Sequence, residues 1–125
     1  MRSDGIKDFS DLEVWKKAHS FTIGIYTITK RFPKDERFGL IDQIRRAASS
    51  IGANIAEGFG RYHSNDKIRF IYNSRGSISE CMNHVHLAKG LEYIDENTLI
   101  ALIRELNEMR MMLNGLTRAM RNTQL

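Results

Sequence analysis

The sequence predicts an all-α protein, an antiparallel up-down-up-down four-helix bundle. Three observations carry that reading. Apolar residues recur at spacings of three and four along nearly the whole chain, with no sustained alternation of period two. A single proline, Pro33, leaves room for long uninterrupted helices. The breaks between the patterns are short, so successive helices must fold back on one another. At 125 residues the chain is one domain, 1–125, large enough to bury a core without disulfides or metal.

The first helix is expected over about 11–32. Ser10 and Glu13 fit a capping box. Val14, Ala18, Phe21, Ile25, Ile28 and Phe32 follow as one stripe, and Pro33 ends it. The second is expected over about 36–57, striped by Ile41, Ile44, Ala48, Ile51 and Ile55 and stopped by Gly58-Phe59-Gly60. The third, about 64–89, opens with Ser64 as N-cap and closes with Gly90 at the left-handed position. Its stripe is Ile71, Ile78, Cys81, Val85 and Ala88, interrupted by Ser74. The fourth, about 96–121, follows Asp95 as N-cap. Its stripe, Leu99, Leu102, Leu106, Met109, Leu113, Leu116 and Met120, has no gap.

Composition excludes several functions. One cysteine, Cys81, rules out an internal disulfide framework and a cysteine-built zinc site. No apolar run approaches the roughly 20 residues needed to span a bilayer, and the N-terminus has no signal-like region. A cytoplasmic protein with no membrane role is expected. Cys81 and His84 share a helix face, but His86 points elsewhere, so no metal and no cofactor is expected. Cys81 sits in the apolar stripe, where a thiol is inert. Ser49, Ser50 and Ser77 lack a nucleophile elbow. Glu105 and Glu108 read as a solvated helix face. No catalytic residue is assigned and no enzyme is expected.

Two features point outward. Leu12, Trp15, Ile23 and Tyr26 lie off the first stripe, and Leu40, Ala47 and Phe59 lie beside the second. A wide core stripe explains any one of them. Together they point to a self-association surface. The second helix also carries a small and polar stripe, Gln43, Ala47, Ser50, Asn54 and Glu57, answered on the third by Ser74, Gly76, Ser77 and Glu80. The alternatives are a solvated face and a packed polar seam that fixes register or partner choice. Trp15, Gln43, Arg45, Arg46, Ser50, Asn54, Glu57, Ser77 and Glu80 are the candidates for that seam or for a subunit interface. Arg45 and Arg46 are ambiguous: one pairs with Glu57 or Glu80 in a subunit contact, or both face solvent.

The basic residues carry the functional reading. The chain has a net charge of +4, and 12 of its 19 basic residues are arginine. Residues 58–75 hold Arg61, Lys67, Arg69 and Arg75 against Asp66 alone, interleaved with Tyr62, Phe70 and Tyr72. On the fourth helix Arg110, Arg118 and Arg121 fall close to one face. Arg61, Lys67, Arg69, Arg110, Arg118 and Arg121 are the candidate nucleic-acid contacts, because such clusters neutralise phosphates. A charged solubilising surface is the plain alternative.

Several spaced segments resemble a known family. They are Asp11-Leu12-Glu13-Val14-Trp15-Lys16-Lys17-Ala18, Phe32-Pro33-Lys34 and Gly39-Leu40; then Gln43-Ile44-Arg45-Arg46-Ala47, Ser50-Ile51 and Asn54-Ile55-Ala56-Glu57-Gly58-Phe59-Gly60-Arg61; then Arg69-Phe70, Arg75-Gly76-Ser77 and Glu80. Over roughly residues 8–118 the chain resembles the bacterial four-helix bundle proteins encoded in intervening sequences of 23S rRNA genes. The accessory proteins of diversity-generating retroelements are related to them. The stretch Asn83-His84-Val85-His86 is more polar than that family's third helix. The resemblance implies a ring-like homopentamer with a basic outer surface. It also implies RNA or DNA, and a reverse transcriptase or ribosome-associated partner, as ligands. The expected function is therefore a non-enzymatic homopentameric adaptor that binds nucleic acid or a nucleic-acid enzyme. The alternative is a protein-binding assembly module with no nucleic-acid role.

Overall fold

The computed structural model describes residues 5–123. Among these residues there are four α-helices and no strand: α1 (Glu13–Thr29), α2 (Leu40–Phe59), α3 (Ser64–Gly90) and α4 (Glu96–Thr123). The α2–α3 interface is the most extensive; α1 packs on α2 and α4, and α3 packs on α4. Contact order along each pair gives the direction. Thr22 reaches Ala48 while Thr29 reaches Arg45, and Ile51 meets Ser74 while Gly58 meets Phe70. Tyr72 meets Arg121 while Lys89 meets Glu96. Consecutive helices therefore run antiparallel.

The core follows the apolar stripes. Phe21, Ile25, Ile44, Ile51, Ile71, Ile78, Leu106, Met109 and Leu113 fill the centre and are essentially inaccessible to water. A second cluster, Phe32, Leu40, Ile41 and Ala88, closes the end where α1 turns into α2, with Tyr93 packed against it. Leu40 and Ala47 belong to this buried interior, so they are not part of an outer apolar surface. Ile23 and Tyr26 are exposed, as that surface requires.

Several element boundaries differ from the sequence reading, each for a physical reason. The capping box is made by Asp8 and Asp11 on a short 3-10 turn, Phe9–Asp11, that precedes α1. Ser10 donates its hydroxyl to Asp8 instead of capping a helix. α1 stops at Thr29, before Phe32, because the chain tightens into i to i−3 bonds from Arg31 and Phe32. α2 begins at Leu40, because residues 34–36 form a separate 3-10 turn. Glu36 then caps α2, its Oε1 accepting from the Leu40 N–H at 3.1 Å. A Cβ at Gly39 would lie 2.8 Å from that oxygen, so a larger residue there would push the Glu36 side chain out of its cap.

α2 ends at Phe59 with Gly60 as its C-cap, within the predicted Gly58-Phe59-Gly60 stop, and Gly58 has a further role. It lies inside the helix, and a Cβ there would stand 3.0 Å from Cβ of Phe70 and 3.2 Å from the Lys67 carbonyl oxygen. Its role is the close approach of α2 and α3. Ser64 is the first helical residue of α3 and His63 its N-cap. At the other end, Gly90 is still helical and Glu92 takes the left-handed position, φ +66°. Tyr93 N–H bonds to the Ala88 carbonyl and Glu92 N–H to that of Lys89, a Schellman closure without glycine at the turn. Asp95 caps α4 as expected, accepting from the Thr98 N–H at 2.8 Å. That bonding, from Thr98, holds its carboxyl below the ordinary range.

Candidate nucleic-acid interface

The connection from α2 to α3 spans four residues, so Arg61 is brought against the first turns of α3. The guanidinium of Arg61 lies 4.7 Å from the Phe70 ring centre, and that of Arg69 lies 4.6 Å from the same ring. Two residues along α3, on its other side, the guanidiniums of Arg75 and Arg121 each lie 5.7 Å from the Tyr72 ring centre. Arg121 also donates to the Tyr72 hydroxyl, which joins the end of α4 to this group. The result is two arginine–aromatic groups at one end of the bundle, about 200° apart around α3: Arg61 and Arg69 over Phe70 on the α2 side, Arg75 and Arg121 over Tyr72 on the α4 side. Tyr62, 90% exposed, stands beside Arg61 in the connection.

The cations of the first group are already engaged. Arg61 donates to Glu57 at 2.8 Å, and Arg69 lies 3.9 Å from Asp66. Both pairs are exposed and of the helical i, i+3 or i, i+4 kind, which contribute about 0.3–0.5 kcal/mol and yield readily to a phosphate. Lys67 is different. Its ammonium donates to the Phe59 carbonyl at 2.9 Å, satisfying the C-terminus of α2, and its side chain is half-buried. It lines a cavity of about 420 Å³ with Ile55, Ile71, Leu116 and Met120. Arg110 donates to Asn107 and lies more than two helical turns from Arg121, outside both groups. Arg118 is exposed, with no ion pair among the described residues.

The polar stripe of α2 meets α3 within the chain. Ser77 Oγ donates to Ser50 Oγ at 2.9 Å, and Asn54 Nδ2 donates to the same oxygen at 3.0 Å and to the Ser50 carbonyl. Ser74 adds a bond to the Ile51 carbonyl at 2.8 Å. Small side chains allow the two backbones to come this close. Arg45 clamps the end of α1: it donates to Thr29 Oγ1 at 2.8 Å and lies 4.4 Å from the Tyr26 ring centre. A cation at a helix C-terminus is favourable. Arg46 pairs with Asp42 and Glu57 with Arg61, so neither Arg45 nor Arg46 pairs with Glu57 or Glu80 inside the chain. Glu80 lies 3.7 Å from the buried His84. Gln43 is exposed. Trp15 stacks on His19 and covers Gly52, where a Cβ would sit 3.4 Å from its indole nitrogen.

Sequence reasoning missed three features. Ser49, Gly52, Ala53 and Ala56 form a small-residue strip beside Trp15 and Phe9, a shallow groove of about 310 Å³. A larger apolar groove, about 550 Å³, runs along α4 past Ile100, Ile103 and Met111. Lys30, Arg31, Lys34 and Arg37 are all exposed in the turn from α1 to α2, around a 3-10 turn. Four cations in eight residues were visible in the sequence, but Pro33 drew attention to the helix stop alone.

Burial, reinforced by Glu80, pushes the Cys81 thiol up to about 12, so it stays protonated and unreactive at neutral pH. Burial also raises the carboxyl of Glu105 above its usual range, against the pull of Lys17. Lys17 itself bridges α1 to α4 through Glu108 at 2.9 Å. Among the described residues no three His, Cys, Asp or Glu side chains are grouped to hold a metal. No helix among them is long and apolar enough to cross a membrane.

Comparison with known proteins agrees with this fold. The chain is similar to a crystal structure from Bacteroides thetaiotaomicron, a protein of unknown function from the S23 ribosomal protein family. The TM-score is 0.75 at 23% identity, covering 83% of this chain and 97% of that one. No curated protein matches the chain. The family model for the 23S rRNA-intervening sequence protein matches residues 10–115. With that match spanning most of the bundle, the chain belongs to the 23S rRNA-intervening sequence protein family.

Proposed function

We propose that this chain is a non-enzymatic, cytoplasmic adaptor that assembles as a homopentamer and holds nucleic acid on a basic surface. Its ligand is RNA or DNA, or an enzyme that works on them, such as a reverse transcriptase or a ribosome-associated factor. The observation that carries the reading is the pair of arginine–aromatic groups at one end of the bundle, Arg61 and Arg69 over Phe70 and Arg75 and Arg121 over Tyr72. Guanidiniums held beside aromatic rings present donors to phosphate, and both groups offer planar surfaces to bases. Their internal partners are exposed and weak, so phosphates compete well for them. Five copies of a +4 chain would multiply this charge on one particle. The exposed Ile23 and Tyr26 are available for the contact between copies.

The test is a binding titration against structured RNA, duplex DNA and an RNA–DNA hybrid at several salt concentrations. The reading expects affinity to fall steeply with salt for every sequence, because phosphate contacts carry no sequence information. Absence of binding at low salt would reject it.

A second reading, a protein-binding assembly module, is favoured by the groove along α4. Ile100 is 47% exposed and Met111 69% exposed in that groove, with Ile103 between them. It predicts that Ile100→Asp and Met111→Asp abolish a protein contact while nucleic-acid binding is absent throughout.

A further inference from the structure

We propose that the turn joining α1 to α2 is a second nucleic-acid site, one that takes an unpaired strand. This rests on the nucleic-acid reading above but concerns the opposite end of the bundle. Lys30, Arg31, Lys34 and Arg37 are exposed, and among the described residues none has an ion-pair partner. Of the turn's own two acids, Glu36 is occupied: Oε2 accepts from the Tyr93 hydroxyl at 2.7 Å and Oε1 from the Leu40 N–H. Asp35 remains. In the neighbouring α3–α4 turn, Glu96 lies 3.9 Å from Lys89 and Asp95 caps α4, which leaves Glu92. Lys30 and Arg31 follow the C-terminus of α1, where cations are stabilised in any protein. Lys34 and Arg37 precede the N-terminus of α2, where the helix dipole disfavours them. An anion from outside would relieve that.

Phe38 supplies the other half. Its ring is 86% exposed, with the Arg37 guanidinium 5.7 Å from its centre. A base can stack on such a ring while its phosphates reach the flanking cations. A duplex keeps its base faces buried in its own stack, so the ring favours an unpaired strand. The turn is also preorganised. Phe32 is buried beneath it against Tyr93, ring centres 5.2 Å apart, and the Tyr93–Glu36 bond ties it to the α3–α4 turn. Little order is then lost on binding.

The experiment uses the full chain and three probes: a labelled oligouridine strand, an RNA duplex of the same length, and vesicles of phosphatidylcholine with phosphatidylglycerol. Binding is read by anisotropy, or by co-sedimentation for vesicles, across salt concentrations. The strand should bind more tightly than the duplex. Phe38→Ala should weaken the strand about tenfold and leave the duplex unchanged, and Phe38→Trp should retain binding. Lys34→Gln with Arg37→Gln should flatten the strand's salt slope by about 1.4, two contacts at roughly 0.7 each. Circular dichroism should show unchanged helix content in each variant, since these side chains are exposed. The proposal is overturned if the turn variants bind the strand like the parent, if duplex is preferred, or if the variants alter only vesicle binding. Loss confined to Arg61→Glu with Arg69→Glu would overturn the turn site and leave the function standing. No binding of either nucleic acid would overturn both.

Discussion

Where α2 turns into α3, Arg61 is bonded to Glu57, Arg69 lies beside Asp66 and Lys67 holds the Phe59 carbonyl. Where α1 turns into α2, Lys30, Arg31, Lys34 and Arg37 have no such partners among the described residues. The first end uses part of its charge to close a tightly packed α2–α3 pair. The second end closes with apolar contacts, the Tyr93–Glu36 bond, the Arg45–Thr29 clamp and the Lys89–Glu96 pair, none of which draws on the four cations of its turn. Local charge density therefore does not measure available charge. What decides it is whether an acid or a carbonyl lands within reach once the helices dock.

The comparison can be broken most severely at the apolar end. Phe32→Ala empties the cluster of Phe32, Leu40, Ile41 and Ala88 and should cost about 3–5 kcal/mol, seen as a lower midpoint in chemical denaturation. At the α2–α3 end, Gly58→Val forces a side chain against Phe70 and the Lys67 carbonyl and should cost about 1–3 kcal/mol. It should also weaken nucleic-acid binding, because it displaces the ring under Arg61 and Arg69. A stable Gly58→Val protein would mean that the α2–α3 end tolerates separation.

Smaller changes sharpen the contrast. Glu92→Gly should raise stability by about 1 kcal/mol, since Glu92 holds a left-handed conformation that glycine adopts freely. Thermal melts would show it. The Tyr93–Glu36 bond is smaller still and is read through pH. The Tyr93 hydroxyl, then the Leu40 N–H, hold the Glu36 carboxyl below its usual range. Its contribution is complete above the ordinary carboxylate range and is lost as pH falls through the lowered value. The same bond raises the Tyr93 hydroxyl, whose contribution is complete below the ordinary tyrosine range and is lost as pH rises through the raised value. Tyr93→Phe should flatten both limbs of a stability-against-pH curve; an unchanged curve would remove the bond from the account.

The parts legible in the sequence were those set by local spacing. α4 was plain because Asp95 and an unbroken stripe from Leu99 to Met120 agree. The i, i+4 pair of Glu57 and Arg61 was equally local, though the sequence reading placed Glu57 among the candidates for a polar seam or a subunit interface. The Gly58-Phe59-Gly60 stop was legible, since α2 ends at Phe59 with Gly60 as its C-cap; only the docked α3 shows that the missing side chain of Gly58 makes room for Phe70. The Ser50–Ser77 bond joins residues 27 apart in sequence and needs the α2–α3 packing to exist. Lys67 looked like a phosphate ligand because the carbonyl it satisfies lies eight residues back, across a turn. The closing turn of α3 was misplaced by two residues because glycine is the usual occupant and here Glu92 takes its place.

The most direct measurement of the central claim is the salt dependence of binding between the full chain and a structured RNA, with light scattering on the same sample. The account predicts an assembly of five chains whose affinity falls steeply as salt rises. Arg61→Glu with Arg69→Glu should flatten that dependence and leave the assembly intact. A chain that stays monomeric, that binds no RNA at low salt, or that keeps its full salt dependence after the reversal would contradict the account.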